Sequence, residues 1–279
     1  MSSMLRFLTI LIIGSSFLFA SGDADVVNFV KKKLAQNKGV KILSVKVADK
    51  LPIPGVKGWS AYVMEADLEL KRGKESRKIS FETILFVSKN LITTELVDRK
   101  TGRDIRSILQ PKLPEDIYSK SHLLYGNEDA KHKLILFSDP LCPFCRMYVP
   151  GLMKAVKENP DKLALYYYHL PLSAIHPASD TLVRVMEVAK KRGDKSLVEK
   201  LYSIDIDPDL KDEKKILEIV EKKTGFKTTP SEIHDKKIEK IIAHDRIMAR
   251  KLLVTGTPTI FADGKKDITR EKYKSFIKK

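Results

Sequence analysis

The sequence is short of cysteine, since its 279 residues contain only Cys142 and Cys145. It therefore lacks the multi-disulfide framework that stabilises small secreted proteins. With 13 glycines and 13 prolines, it is neither collagen-like nor a low-complexity chain. Beyond the N-terminus no uncharged run approaches the ~20 residues that a membrane span needs, which excludes a polytopic membrane protein. Hydrophobic residues make up 43% and charged residues 32%, which indicates a folded globular chain long enough for two domains.

The N-terminus has the features of a secretory signal peptide. Arg6 supplies a positive charge, and a mainly apolar run from Phe7 to Ala20 is followed by polar residues. This pattern is typical of a cleaved signal peptide over residues 1–20, with cleavage expected after Ala20. The alternative is an uncleaved anchor, although the run is short for a permanent span. The sequence thus predicts export to the periplasm.

The positive charge is large but dispersed. The formal net charge is +16, and lysine and arginine exceed the acidic residues in both halves of the chain. Short basic runs lie within helical patterns, as expected of solvated helix faces. We therefore predict a lysine-rich surface and no nucleic-acid partner.

Changes in hydrophobic periodicity divide the chain into two domains. A helix from Asp23 and near-alternating strands predict an N-terminal α+β domain over residues 21–108. A proline-containing connection over residues 109–123 is expected to be a linker helix. The remaining residues, 124–279, predict an α/β catalytic domain with a helical insertion at about 174–250.

The Cys-Pro-Phe-Cys sequence from Cys142 to Cys145 follows a buried-type strand and should begin a helix. A disulfide across two residues closes a tiny loop and stabilises little. A zinc site would need two further ligands, and no second cysteine pair or closely spaced histidine pair supplies them. No metal and no cofactor are therefore expected, and redox chemistry is favoured.

The expected roles of the two cysteines follow from their positions. The free N–H groups at a helix start stabilise a thiolate, so Cys142 is predicted to be the exposed nucleophile. Cys145, one turn later, is predicted to be the buried resolving thiol. Pro143 and Phe144, which separate them, should tune the stability of that thiolate.

The segment from Phe137 to Cys145 resembles the active site of bacterial periplasmic thiol:disulfide interchange proteins of the Dsb class, on a thioredoxin fold. The resemblance extends to Pro150, which is similar to the family's helix-kinking proline. It also includes the loop from Val254 to Phe261. There it implies that Pro258 is the family's cis-proline, that Thr257 precedes it, and that both help to bind a substrate peptide.

Two branches of the Dsb class contribute to this resemblance. Leu136 replaces the buried acid that the dedicated oxidase carries six residues before its first cysteine, as in the dimeric isomerase-like relatives DsbC and DsbG. Thr257 also resembles that branch, which implies a helix-plus-sheet, cystatin-like dimerisation domain at the N-terminus and a homodimer. Cys-Pro-x-Cys and the helical insertion are instead similar to DsbA. The alternative is a monomer, in which lysine and arginine on the edge strands prevent those strands from pairing with a second copy.

Three functions are compatible with these patterns. The first is a disulfide isomerase or reductase acting on exported proteins that contain disulfides or thiols, kept reduced by an inner-membrane DsbD-like partner. The second is a DsbA-like dithiol oxidase, kept oxidised by a DsbB-like partner. The third is a periplasmic chaperone with secondary redox activity. His169 and His176 either flank the site or have structural roles.

Overall fold

The computed structural model describes residues 20–72 and 75–278. The predicted signal peptide lies outside the described residues except for Ala20. Within those residues, no helix combines the length and the apolar character required to cross a bilayer. The chain divides into two compact units, Met1–Arg106 and Ser107–Lys279.

The described part of the first unit has an α-helix followed by a four-stranded antiparallel meander. Helix α1 (Ala20–Leu34) is followed by β1 (Val40–Pro52), β2 (Trp59–Arg72), β3 (Glu75–Ser88) and β4 (Ile92–Thr93), which lie in that order in the sheet. Asp23 in the first turn of α1 and three lysines in its last turn complement the helix dipole. Val26 and Val30 of α1 pack in one core with Met64 and Leu68 of β2.

The second unit has a five-stranded mixed sheet in the order β5-β7-β6-β8-β9. Its strands are β5 (Leu123–Tyr125), β6 (His132–Ser138), β7 (Leu163–His169), β8 (Thr259–Ala262) and β9 (Lys265–Lys266). The β6–β7 pair is parallel, and the other pairs are antiparallel. This sheet and the helices on it confirm the predicted thioredoxin-like fold.

Helices cover both faces of this sheet. Helix α2 (Pro143–Glu158) connects β6 to β7 and continues through Pro150. The segment between β7 and β8 contains α3 (Ala178–Lys191), α4 (Ser196–Lys200), α5 (Glu213–Thr224), α6 (Pro230–Ile233) and α7 (Lys236–Lys251). Helix α8 (Lys272–Ile277) follows β9.

The two central strands are buried on both sides, which explains their continuous apolar sequences. Successive side chains of a strand point to opposite faces. Leu136 and Tyr167 accordingly belong to the core formed with α2 and the inserted helices, whereas Phe137 and Tyr168 belong to the core on the other face. The cysteine-bearing helix therefore packs on the first of these faces.

The prediction of a linker helix over residues 109–123 is wrong. The structure has two short 3-10 helices there, Glu115–Tyr118 and Lys120–His122. Pro111 and Pro114 explain the difference, because a proline disfavours helical geometry in the residue before it. The segment is also part of the second unit, since the Tyr168 hydroxyl donates a hydrogen bond of 2.7 Å to the carbonyl of Ile117.

Gly126 directly follows β5 and lies close to the backbone of β7. It has φ +84°, and a Cβ placed on it would lie 1.9 Å from the carbonyl oxygen of Leu163. We predict that Gly126→Ala lowers the free energy of unfolding by at least about 2 kcal/mol, because both the backbone conformation and the close contact exclude a side chain.

The matched control is Gly151→Ala in α2, where nothing lies within 4 Å of the new Cβ. That change should stabilise the protein by about 0.5–1 kcal/mol, since alanine favours a helix interior over glycine. Urea unfolding followed by circular dichroism measures both variants. Equal stability of the two variants would contradict this account of Gly126.

Candidate active site

The two cysteines lie at the first turn of α2. Cys142 is the N-cap, with extended backbone geometry, and Pro143 is the first helical residue. Proline suits this position because its missing N–H would have no partner inside the helix. The first N–H groups of a helix have no acceptor within it, so they can stabilise an anion at its start. Cys142 therefore lies next to these N–H groups, whereas Cys145 lies one turn inside the helix.

Cys142 is less exposed than the sequence predicts. Only 5% of the residue is accessible to solvent. Its Sγ lies 3.5 Å from the carbonyl oxygen of Thr257, so the loop before β8 covers it. The Thr257–Pro258 peptide bond is cis, as the resemblance implies. Cys142 is therefore a partly covered thiol beside this loop.

Cys145 is fully buried. Burial raises the pKa of its thiol to about 12, although hydrogen bonds from the backbone of Asp139 and the side chain of Ser138 oppose this shift. At neutral pH Cys145 is therefore a neutral thiol. The resolving role predicted for it needs such a protected thiol, which reacts only when a partner sulfur is brought to it.

Asp139 is a buried carboxylate that holds the loop between β6 and α2. It accepts hydrogen bonds from the backbone N–H groups of Leu141 at 2.7 Å and Leu172 at 2.9 Å. It also accepts one from the Ser179 hydroxyl at 2.5 Å and contacts Nδ1 of His176 at 3.0 Å. These contacts fix the cysteine loop against the start of the insertion. The sequence analysis did not predict this role, although Asp139 lies within the segment from Phe137 to Cys145 that resembles the Dsb active site.

A chain of buried hydroxyl groups lies beside Cys145. The Tyr202 hydroxyl donates to Ser138 Oγ at 2.6 Å and lies 2.6 Å from the hydroxyl of Tyr167. Burial raises the pKa of both tyrosines, so these groups stay neutral. Leu136 is also fully buried. The polar neighbours of Cys145 are thus hydroxyl groups and backbone, and these were not predicted.

Exposed apolar side chains occur on the cysteine-bearing helix and in the loop after β7. Phe144 is 60% exposed, and Met147 on the next turn of α2 is 75% exposed. Ile175, which precedes His176 in the loop bound to Asp139, is 62% exposed. Single exposed apolar residues are ordinary, but Phe144 and Met147 lie on the cysteine-bearing helix and can contact an apolar peptide segment.

His169 and His176 differ in their position relative to the cysteine loop. His176 contacts Asp139 and so lies near the cysteine loop. His169 is fully buried and contacts Glu187 of α3 at 2.7 Å. His169 therefore supports the junction between the sheet and the insertion.

Comparison with known proteins gives one family match and several related proteins. The model of the family described as "Thioredoxin" matches residues 119–279. A probable disulfide bond formation protein D of Bacillus cereus is 28% identical over 151 residues, which cover 50% of this chain and 68% of that protein. The corresponding protein of Bacillus anthracis is 26% identical over 155 residues, with the same coverage.

Among solved structures, a thioredoxin-like oxidoreductase from Silicibacter pomeroyi superposes with a TM-score of 0.49 at 18% identity. The superposition covers 59% of this chain and 95% of that one. BdbD from Bacillus subtilis superposes with a TM-score of 0.47 at 17% identity, covering 59% and 91%.

The raised pKa of Cys145 predicts how the two thiols react with iodoacetamide. Only a thiolate is alkylated readily, and a group with a pKa of about 12 stays protonated until the pH approaches that value. Between about pH 7 and pH 9 we expect Cys145 to react at least ~100-fold more slowly than Cys142. Peptide mass spectrometry measures the two rates.

The control is the same protein unfolded in urea, in which both cysteines should react at similar rates because burial is lost. Similar rates in the folded protein would contradict the assignment of Cys145 as the protected thiol.

Proposed function

The chain belongs to the thioredoxin family and is a thiol–disulfide oxidoreductase related to disulfide bond formation proteins, and on that premise we propose that it reduces or isomerises disulfides of exported proteins. The observation that carries the proposal is the unequal environment of two cysteines one helical turn apart. Cys142 caps the helix beside the Thr257 carbonyl, whereas Cys145 is fully buried and its thiol stays protonated at neutral pH.

The proposed reaction begins at Cys142. Its thiolate attacks one sulfur of a substrate disulfide, a bond forms between the two sulfurs, and the other substrate sulfur leaves as a thiolate. Cys145 then gives up its proton to the substrate thiolate released in the first step and attacks Cys142 Sγ, which releases the second substrate sulfur as a thiolate. The substrate disulfide has been reduced by two electrons and the cysteine pair oxidised. In isomerisation, another thiolate of the substrate attacks the substrate sulfur of the mixed disulfide before Cys145 reacts. A new substrate disulfide forms and Cys142 leaves as a thiolate, so no net oxidation results.

The proposed direction depends on residues around the pair. Leu136 leaves no buried acid at the position where the oxidase branch carries one, and Thr257 precedes Pro258 as in the isomerase-like branch. An inner-membrane DsbD-like reductant would return the pair to its dithiol form. The alternative is a dithiol oxidase recycled by a DsbB-like partner. The names of the two Bacillus relatives and the Cys-Pro-Phe-Cys sequence favour that alternative.

The roles of the two cysteines are tested by serine substitutions. Cys142→Ser should lower the rate of insulin reduction by roughly 10³-fold or more, because the nucleophile is lost. Cys145→Ser should instead accumulate mixed disulfides with substrate, because the resolving thiol is lost. Turbidity measures the reduction, and non-reducing electrophoresis detects the mixed disulfides.

Lys154→Ser is the matched control, since Lys154 is an exposed residue of the same helix and should leave insulin reduction unchanged. Full activity of Cys142→Ser would refute the proposed role of Cys142.

The direction is tested by the redox state of the pair in cells of the source organism. Acid quenching followed by thiol alkylation fixes that state. An isomerase or reductase must keep Cys142 as a thiol in order to attack disulfides, so we expect the dithiol form to predominate. A predominantly oxidised pair would contradict this direction and support the oxidase.

The first unit is proposed to form a homodimer in the periplasm. Strand β1 lies at the edge of its sheet and extends over Val40–Pro52, and a long edge strand is available for pairing with another chain. Leu43, at one of two register shifts in this strand, is exposed. Pairing of two copies would bring two catalytic units together on one misfolded substrate.

The competing arrangement is a monomer, in which the register shifts and the lysines of β1 block the edge. Light scattering coupled to size-exclusion chromatography distinguishes the two. We expect the mass of a dimer at micromolar concentration, and a monomer there would contradict the proposal.

A further inference from the structure

A cluster of two histidines and an aspartate lies on the face of the sheet opposite α2. His122 and Asp245 are buried, and His122 Nε2 lies 2.8 Å from Asp245 Oδ1. His244 Nδ1 lies 3.8 Å from the same oxygen. All three atoms lie within 4.8 Å of one another. His122 also stacks on Tyr168 of β7, with ring centroids 4.1 Å apart.

We propose that His122 Nε2, His244 Nδ1 and Asp245 Oδ1 bind a divalent transition-metal ion, with zinc as the best fit. Two imidazole nitrogens and one carboxylate oxygen suit zinc, whereas magnesium and calcium prefer sets of oxygen ligands. Tetrahedral zinc with bonds of about 2.0 Å places neighbouring ligand atoms about 3.3 Å apart. The separations of 2.8 Å and 3.8 Å lie on either side of this value.

The nitrogen of His244 that faces the cluster is an unpartnered polar atom. His244 Nδ1 is buried and has no hydrogen-bond partner among the described residues, and its 3.8 Å separation from Asp245 Oδ1 exceeds hydrogen-bonding distance. A buried polar atom without a partner is costly and uncommon in folded proteins. A metal ion at this point would provide that partner.

Each proposed ligand also has a partner on its far side. His122 Nδ1 lies 2.7 Å from Ser119 Oγ, and His244 Nε2 lies 3.2 Å from Asp116 Oδ2. Asp245 Oδ2 accepts a hydrogen bond of 2.8 Å from the backbone N–H of His169. Metal-binding histidines commonly donate their other ring N–H in this way. The ion would replace the hydrogen bond that joins His122 Nε2 to Asp245 Oδ1. The arrangement is therefore built like a metal centre and its outer shell.

The site would leave one coordination position for water. Three protein ligands are provided, and the His244 side chain is 33% exposed, so solvent and the ion can reach the cluster. Bound metal would join α7 to the segment before β5. Helix α7 ends at Lys251, shortly before the loop that contains Thr257 and Pro258, so the ion would fix the base of that loop.

The test is isothermal titration of zinc chloride into the untagged, full-length Cys142→Ser/Cys145→Ser variant after treatment with EDTA. Removing both thiols ensures that zinc cannot bind at the cysteine pair. We expect one equivalent of zinc to bind and the melting temperature to rise. His244→Ala should weaken binding by at least about 100-fold, and Asp116→Asn by about 10-fold, because ligands and their outer partners both contribute.

His234→Ala is the matched control. His234 is a half-exposed histidine that contacts Glu213 and Glu239, and its loss should leave zinc affinity unchanged. Circular dichroism verifies that each variant is folded. The proposal is overturned if zinc neither binds nor shifts the melting temperature of the double variant. It is also overturned if folded His244→Ala and Asp116→Asn both bind zinc as tightly as the double variant does.

Discussion

The buried carboxylate of Asp139 is the interaction on which the cysteine site depends. It lies three residues before Cys142 and binds groups from its own loop and from the start of the insertion. Hydrogen bonds to a charged group contribute about 1.5–3 kcal/mol each, and a buried charge without them would be strongly unfavourable. The need to satisfy this carboxylate therefore fixes the loop from which α2 begins. The helix start in turn fixes Cys142.

This packing also gives the two thiols different environments. They are three residues apart, yet one caps the helix beside the Thr257 carbonyl and the other lies in the core with a pKa of about 12. A pair of equivalent thiols would lack a defined order of attack. In the proposed reaction the helix end determines which sulfur attacks, and burial restricts Cys145 to a sulfur already bound to Cys142.

Local sequence patterns could predict much of this architecture. The apolar runs of β6 and β7 predicted two strands, and the resemblance of the cysteine segment to the Dsb class implied the thioredoxin fold. The hydrogen bonds of Asp139 could not be predicted, since Leu172 and Ser179 lie 33 and 40 residues later. The covering of Cys142 by Thr257 is also a contact between distant segments. The absence of a linker helix, by contrast, could have been inferred from Pro111 and Pro114.

The central claim is that Cys142 and Cys145 act as one reversible two-electron redox centre. Equilibrating the reduced protein with glutathione buffers of increasing oxidised fraction, followed by intact-mass analysis, tests it most directly. The account predicts a single transition in which two hydrogens are lost, as a disulfide forms between Cys142 and Cys145. Stable attachment of glutathione to Cys142, without formation of that disulfide, would contradict it.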